Sequence, residues 1–401
     1  MHVALVAHGL PQRSSNGGPM TCYALLRQLQ DEGHDVAVIA LRYADDPFVQ
    51  PEREAELDVA VTVVEADVEP AGAPGTVPLR GTPSLESIFP TAALRPRLRE
   101  ALAGLSPDVV FAYHWDTLAA LHGVDVAPRF GVVDDPWHAP NLRRWQTTRP
   151  RPDRGYVHWT FSTLRGIRPV RAAMRELLAG CDDAASFQSQ AADDLGVEYV
   201  RAPVIDYGGP DWRGRRDDAR SPFTILLGPS NLGATSTAAG LRFFARDVLP
   251  RLDDDVLVRV VGEGEPPAEL AQLLPDPRVE LTGRIEPADD EFRRAHVQLV
   301  PTPFVLGKRV RIIVGWTFGT VVVAHTAESK NLPELRHGEN ALLGGNGSRL
   351  LEALRTARTH GHLGARGRET YEQLFHPSVA GHALVRRLER LRMRTPLRAA
   401  A

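Results

Sequence analysis

At 401 residues the chain exceeds one ordinary hydrophobic core, and two domains of roughly 150 to 200 residues each are expected. A composition of 43% hydrophobic and 24% charged residues with a formal net charge of −3 is that of a soluble globular protein, and it argues against nucleic acid or an acidic membrane as the main partner. Two cysteines, Cys22 and Cys181, are too few for a disulfide framework and suit small core positions in a cytoplasmic protein. The opening "MHVALVAHGLPQ" is too short an apolar run for a secretory leader, and no run of about 18 apolar residues follows, so no transmembrane segment is expected.

Along the chain, β-branched apolar runs alternate with amphipathic stretches, the pattern of parallel strands joined by crossover helices. Strands are expected at 2–8, 35–41, 59–66, 108–114, 130–135 and 184–189. Helices are expected at 19–33, closed by Gly33, and at 92–104. The Pro- and Gly-rich segment 69–90 reads as a long surface loop. The stretch 207–222, "YGGPDWRGRRDDARSP", is poor in apolar residues and reads as a linker. Beyond it the alternation resumes, with strands at 223–228, 256–262, 279–283, 297–302 and 320–326. Residues 362–394 read as two helices broken near Phe375-His376-Pro377, and the last seven residues as a frayed tail. The expected division is therefore 1–206, a linker at 207–222, a second domain at 223–375, and a terminal helix and tail at 376–401.

Doubly wound sheets bind ligands at the carboxyl ends of their strands, so chemistry is sought in the loops there. After the first strand, Gly17-Gly18 and Pro19 are either a plain strand-to-helix turn or a loop whose free N–H groups accept an anion. His114 ends the strand at 108–114, and Asp116 two residues later suits a helix cap. That histidine is either a hydrogen-bonded structural residue or a group serving substrate hydroxyls. Asp134 and Asp135 end the next strand and can cap, meet a hydroxyl or bind a metal; without a third ligand at suitable spacing no metal is expected. From 143 to 175 run nine arginines with aromatic residues among them, a solvated helix face or a strip for an anionic partner. The stretch "GKRVRIIVGWTFGTVVVAH" (307–325) reads as a basic loop holding Lys308, Arg309 and Arg311, a short apolar helix, a stop at Gly319 and a buried strand.

These motifs together carry a resemblance. "NGGPMTCYALLRQLQDEGHDVAVIA", "DVVFAYHWDTLAAL", "SNLGATSTAAGLRFFARDVLPRL", "VRVVGEGEPPAELAQLL", "VELTGRI", "LVPTPFVLGKRVRIIVGWTFGTVVVAH" and "NLPELRHGENALL", in this order, resemble the GT-B glycosyltransferases, specifically retaining family 4 (group 1), over nearly the whole chain. The resemblance implies an α/β protein of two Rossmann-like domains facing across a cleft, with the last helix crossing back to the first domain. It implies a metal-independent transferase that needs no cofactor. A nucleoside-diphosphate sugar would be bound mainly by the second domain, and a small-molecule or glycan acceptor by the first. Gly17 and Gly18 match the family's glycine loop beside the donor diphosphate, and His114 the histidine near the donor sugar. Arg309 and Arg311 match its basic pair on the diphosphate, with Lys308 beside them. Glu334 matches the acid after the next strand, and Asp134 and Asp135 are candidate acceptor contacts.

Departures accompany the match. The paired glutamates of many members fall on Leu306 and Val314, which cannot accept a hydrogen bond; Lys330-Asn331 stand where Gly-Gly is usual; and the Arg and Lys often found after the second domain's first strand are absent. Three readings follow: an active transferase with an altered nucleotide contact, a catalytically silent GT-B binding partner, or altered chemistry such as a pseudo-glycosyltransferase or sugar-nucleotide epimerase.

Overall fold

In a computed structural model of the chain, residues 1–13, 17–43, 57–66, 84–89, 91–134, 154–212, 222–266, 276–304 and 307–394 are described, the side chains of 87, 154–166 and 235 excepted. Two compact units form. One is Met1–Pro203 with Ala380–Ala401, the other Val204–Val379.

The first unit holds a parallel sheet of β1 (His2–His8), β2 (Asp35–Tyr43), β3 (Ala60–Ala66), β4 (Val109–Tyr113), β5 (Arg129–Val133), β6 (Asp183–Ser186) and β7 (Glu198–Tyr199), in the order β3-β2-β1-β4-β5-β6-β7. Its helices are α1 (Gly17–Asp31), α2 (Arg95–Leu105), α3 (Trp115–Ala120), α4 (Arg154–Ala179) and α5 (Ser189–Leu195). Strands β4 and β5 are buried throughout, which explains their continuous apolar reading. The strand order reverses between β1 and β4, so the helices that follow these strands leave opposite faces and open a crevice at the carboxyl ends.

The second unit repeats the plan with β8 (Phe223–Asn231), β9 (Val256–Glu263), β10 (Val279–Gly283), β11 (Val297–Val300), β12 (Val321–His325) and β13 (Leu342–Gly344). Their order is β10-β9-β8-β11-β12-β13, all parallel, with the reversal between β8 and β11. Its helices are α6 (Thr235–Asp247), α7 (Asp289–Arg294), α8 (Val310–Thr317), α9 (Gly347–Ala357) and α10 (His362–Leu374). Gly319, at φ +57°, ends α8 as expected, and a Cβ there would lie 2.4 Å from the Trp212 ring.

The final helix, α11 (His382–Arg394), belongs to the first unit, as the resemblance implies. Its Leu384, Val385, Leu388 and Leu391 join Leu25, Leu26 and Leu29 of α1 and Phe111 of β4 in one buried cluster. Each such side chain contributes roughly 1.5–3 kcal/mol. Arg387 lies 4.9 Å over the Phe130 ring and pairs with Asp183 at 2.5 Å, which fixes the helix's rotation.

The eleven expected strands are present, with ends shifted by a few residues, while β7 and β13 were not expected. Gly17 and Gly18 form the first turn of α1 rather than a turn ahead of it, the Gly17 carbonyl accepting from Thr21. Of the surface loop expected at 69–90, only 84–89 are described, and these include the turn Leu85–Ile88. Within the expected linker, Tyr207 is buried and Gly208 packs against the Thr317 carbonyl, while 213–221 lie outside the described residues. Residues 143–153 of the arginine-rich strip and the tail 395–401 also lie outside them.

Candidate functional site

In the first unit, polar side chains converge where the strand order reverses. Ala7 of β1 pairs in register with Tyr113 of β4, so the next residues, His8 and His114, end the two strands side by side. Asp116 is not the helix cap the sequence suggests: His114 occupies that place, and Asp116 lies in the first turn of α3, only 3% exposed. Its Oδ2 is 2.6 Å from His8 Nδ1, and its Oδ1 is 2.9 Å from His114 Nδ1. Burial works to raise this carboxyl, but the hydrogen bonds from His114 and His8 outweigh it and hold Asp116 well below the usual carboxylate range. His114 has φ +83°, a conformation that costs a residue with a Cβ about 1–3 kcal/mol and collects at binding sites. Thr117 Oγ1 donates to the carbonyls of both Tyr113 and His114, clamping that turn.

Asp134, just past β5, is buried and accepts from the Tyr113 hydroxyl. Its Oδ1 has no hydrogen-bond partner among the described residues and lies 3.9 Å from His114 Nε2. Gly18 packs on the same tyrosine, since a Cβ there would stand 3.1 Å from the ring. The fold thus gathers Gly17, Gly18, His114 and Asp134 at one strand end. His8 and Asp116 complete the group; Asp135 lies outside the described residues.

In the second unit the group is cationic. Arg309, 9% exposed at the start of α8, donates from Nε to Glu328 Oε1 at 2.8 Å and from Nη1 to Ser236 Oγ at 3.3 Å. Glu328 is fully buried on the turn Thr326–Lys330 after β12. Burial raises its carboxyl above the ordinary value, with Arg309 opposing. Arg309 Nη2 and Glu328 Oε2 are both buried without a hydrogen-bond partner among the described residues. Arg311 reaches Thr237 Oγ1 at 3.4 Å. Burial and then Arg309 push its guanidinium down to about 10, Glu328 opposing, so it stays charged at neutral pH.

Arg311 and Thr237 line a small pocket with Gly228, Ser230, Gly240 and Thr302, at the carboxyl ends of β8 and β11 and beside the first turn of α6. Two helix starts, those of α6 and α8, therefore bring N–H groups and two guanidinium groups to one strand end, a setting that favours an anion. Lys308 is half-buried in the same loop. Asn331 donates to the Gly307 carbonyl at 2.6 Å and so ties the basic loop to the turn after β12. Glu334 is buried nearby in sequence, its carbonyl accepting from Asn340 at 2.8 Å. Val314 is buried in α8, and Leu306 lies outside the described residues. Among the described residues no group of three or more His, Cys, Asp or Glu could hold a metal ion, and no helix is long and apolar enough to cross a membrane.

Solved structures resemble the chain over nearly its whole length. HepE of Anabaena, solved with UDP and glucose, matches 96% of this chain and 99% of its own at 13% identity and a TM-score of 0.65. Sucrose-phosphate synthase of Thermosynechococcus elongatus covers 98% and 100% at 15% identity and a TM-score of 0.66. A glycosyltransferase of Rickettsia africae covers 97% and 98% at 11% identity and a TM-score of 0.60. The fold is GT-B. Within this GT-B chain, residues 229–358 match the sequence family described as group 1 glycosyl transferases, a range that contains Ser236, Thr237, Arg309, Arg311 and Glu328. No curated protein matches the chain by sequence.

Proposed function

We propose that this GT-B chain is a retaining glycosyltransferase of the family 4 kind. It moves a sugar from a nucleoside-diphosphate sugar to an acceptor hydroxyl or amine, without a metal ion or a further cofactor. The observation that carries this reading is the cationic strand end of the second unit, where Arg309 and Arg311 stand at two helix starts within the range matching group 1 glycosyl transferases.

As the glycosidic bond breaks, negative charge gathers on the departing diphosphate, and fixed guanidinium groups stabilise it. Arg311, which lines the pocket, is the direct contact. Arg309 acts from deeper, and a phosphate oxygen would supply the partner that its Nη2 lacks among the described residues. Lys308 and the Gly17-Gly18 start of α1 add donors for the donor's phosphates. His114 orients a sugar hydroxyl, Glu334 holds the donor sugar, and Asp134 with Asp135 receives the acceptor. The acceptor proton passes to the departing diphosphate on the same face of the sugar, which preserves configuration.

One observation favours a second reading. Where many family members carry the second of their paired glutamates this chain has the buried, apolar Val314, so a catalytically silent GT-B protein that binds a partner or ligand has support.

Melting temperatures with a panel of nucleoside diphosphates and their sugars test the proposal, UDP and UDP-glucose first because HepE is solved with them. A ligand at 100 times its Kd adds about 2.7 kcal/mol to stability. A shift with one nucleotide, followed by release of that nucleoside diphosphate on adding acceptor, is the expected result. A shift without release selects a silent ligand binder, and no shift with any nucleotide overturns the transferase reading and favours a silent partner-binding protein.

A further inference from the structure

We infer that Asp116 is the positioning residue of a two-histidine device in the first unit, holding His8 and His114 alike by Nδ1 and so making His8 a second imidazole of the sugar-handling site. What the imidazoles serve rests on the glycosyltransferase reading; how they are held does not.

The geometry is symmetrical. Asp116 gives one carboxylate oxygen to each ring, Oδ2 to His8 at 2.6 Å and Oδ1 to His114 at 2.9 Å. An ionised carboxylate only accepts, so both Nδ1 atoms must carry hydrogen. That fixes the tautomer of each neutral ring and directs Nε2 away from the carboxylate. Asp116 is buried to within 3% of its surface, so it cannot turn to water without leaving both rings. The rings themselves are less enclosed, with side chains 28% and 23% exposed.

Register brings the two histidines together. They are 106 positions apart in sequence, yet they directly follow paired residues of β1 and β4, at the point where the strand order reverses. His114 is further constrained by its positive φ and by the Thr117 clamp on its carbonyl. Among the described residues, Asp134 Oδ1 lies 3.9 Å from His114 Nε2. Two aligned imidazoles beside a carboxylate suit the neighbouring hydroxyl groups of a sugar.

The decisive test is made on the ligand-free protein. Two-bond proton–nitrogen correlation spectra of the histidine rings, assigned among the fourteen histidines by His8→Asn and His114→Asn, report each tautomer directly. Both rings are expected as the Nδ1–H form in the parent protein, and Asp116→Ala should return them toward the Nε2–H form that free imidazole side chains prefer. If Asp116→Ala does not fold, the parent spectrum alone decides, because an Nε2–H form at either ring overturns the inference. Kinetics then separate a serving His8 from a structural one. His8→Asn places an amide N–H near the position of Nδ1, keeping Asp116 bonded, while it removes Nε2. With a turned-over donor, at least a tenfold loss of kcat at an unchanged melting temperature is expected; full activity overturns the role of His8. A parent protein that turns over no nucleotide sugar counts against the glycosyltransferase reading and leaves the ring spectra to decide Asp116.

Discussion

Asp116 in the first unit and Glu328 in the second are both buried carboxylates near the carboxyl edge of a parallel sheet, and burial works to raise both, yet their carboxyls shift in opposite directions. Asp116 accepts a hydrogen bond on each oxygen, and its carboxyl lies below the ordinary range. Among the described residues Glu328 accepts on one oxygen only, from the permanent cation Arg309, and its carboxyl lies above that range. The depressed value goes with hydrogen bonds to both oxygens, and the raised one with burial that Arg309 opposes. The first unit satisfies Asp116 internally. The second leaves Arg309 Nη2, a buried donor without a hydrogen-bond partner among the described residues, for an anionic ligand to complete.

Six substitutions break or sharpen that contrast. Arg309→Ala strands Glu328 in the interior and should cost about 3–5 kcal/mol of stability, read from denaturant midpoints; an unchanged midpoint would show that the pair is not what holds the turn after β12. Asp116→Ala removes two charge-assisted hydrogen bonds and should cost about 3 kcal/mol in the same measurement. Arg311→Ala should lower kcat about a hundredfold, near 2.7 kcal/mol, with the melting temperature nearly unchanged. If both arginine variants lose stability and neither loses turnover selectively, the division between a deep and a direct cation fails.

The pH dependence of stability should differ in sign. Asp116 has a depressed value, so its contribution is present above 3.8 and is lost as pH falls below it; the deficit of Asp116→Asn should shrink in that acid range. Glu328 has a raised value, so its contribution is full below 4.5 and is lost as pH rises; Glu328→Gln should gain on the parent protein above that pH. Denaturant midpoints from pH 3 to 8 read both. The smallest effect is expected from Gly18→Ala. The new Cβ, 3.1 Å from the Tyr113 ring, forces a shift costing about 0.5–1.5 kcal/mol, which the better helix propensity of alanine offsets by about 0.5–1 kcal/mol. A melting temperature lowered by more than a few degrees would mean that Tyr113 cannot yield.

Much of the fold was legible in the sequence because β-branched runs buried on both faces announce themselves locally. Glu198–Tyr199 and Leu342–Gly344 escaped because two- and three-residue strands have no period to detect. His114 and Arg309 stand out in the sequence by their places at a strand end and before an apolar helix; Arg311, read there as part of the basic loop, lies in the first turn of α8. Their partners do not stand out. His8 and Asp116 are 108 positions apart and meet only through sheet register, and Glu328 is a single acid in a turn whose burial no local pattern reveals. Ser236 and Thr237 likewise acquire meaning only when α6 starts beside α8.

The return of α11 to the first unit has a consequence for how the protein is made. Residues 204–379 form a unit inserted, in chain order, within another whose closing element comes last. During synthesis the inserted unit can fold while the earlier one still lacks Leu384, Val385, Leu388 and Leu391, and α1 must keep the apolar face that receives them uncovered until those residues emerge. The first part of the chain to be translated is therefore the last to be completed, and its nascent form is the one most exposed to chaperones and to aggregation.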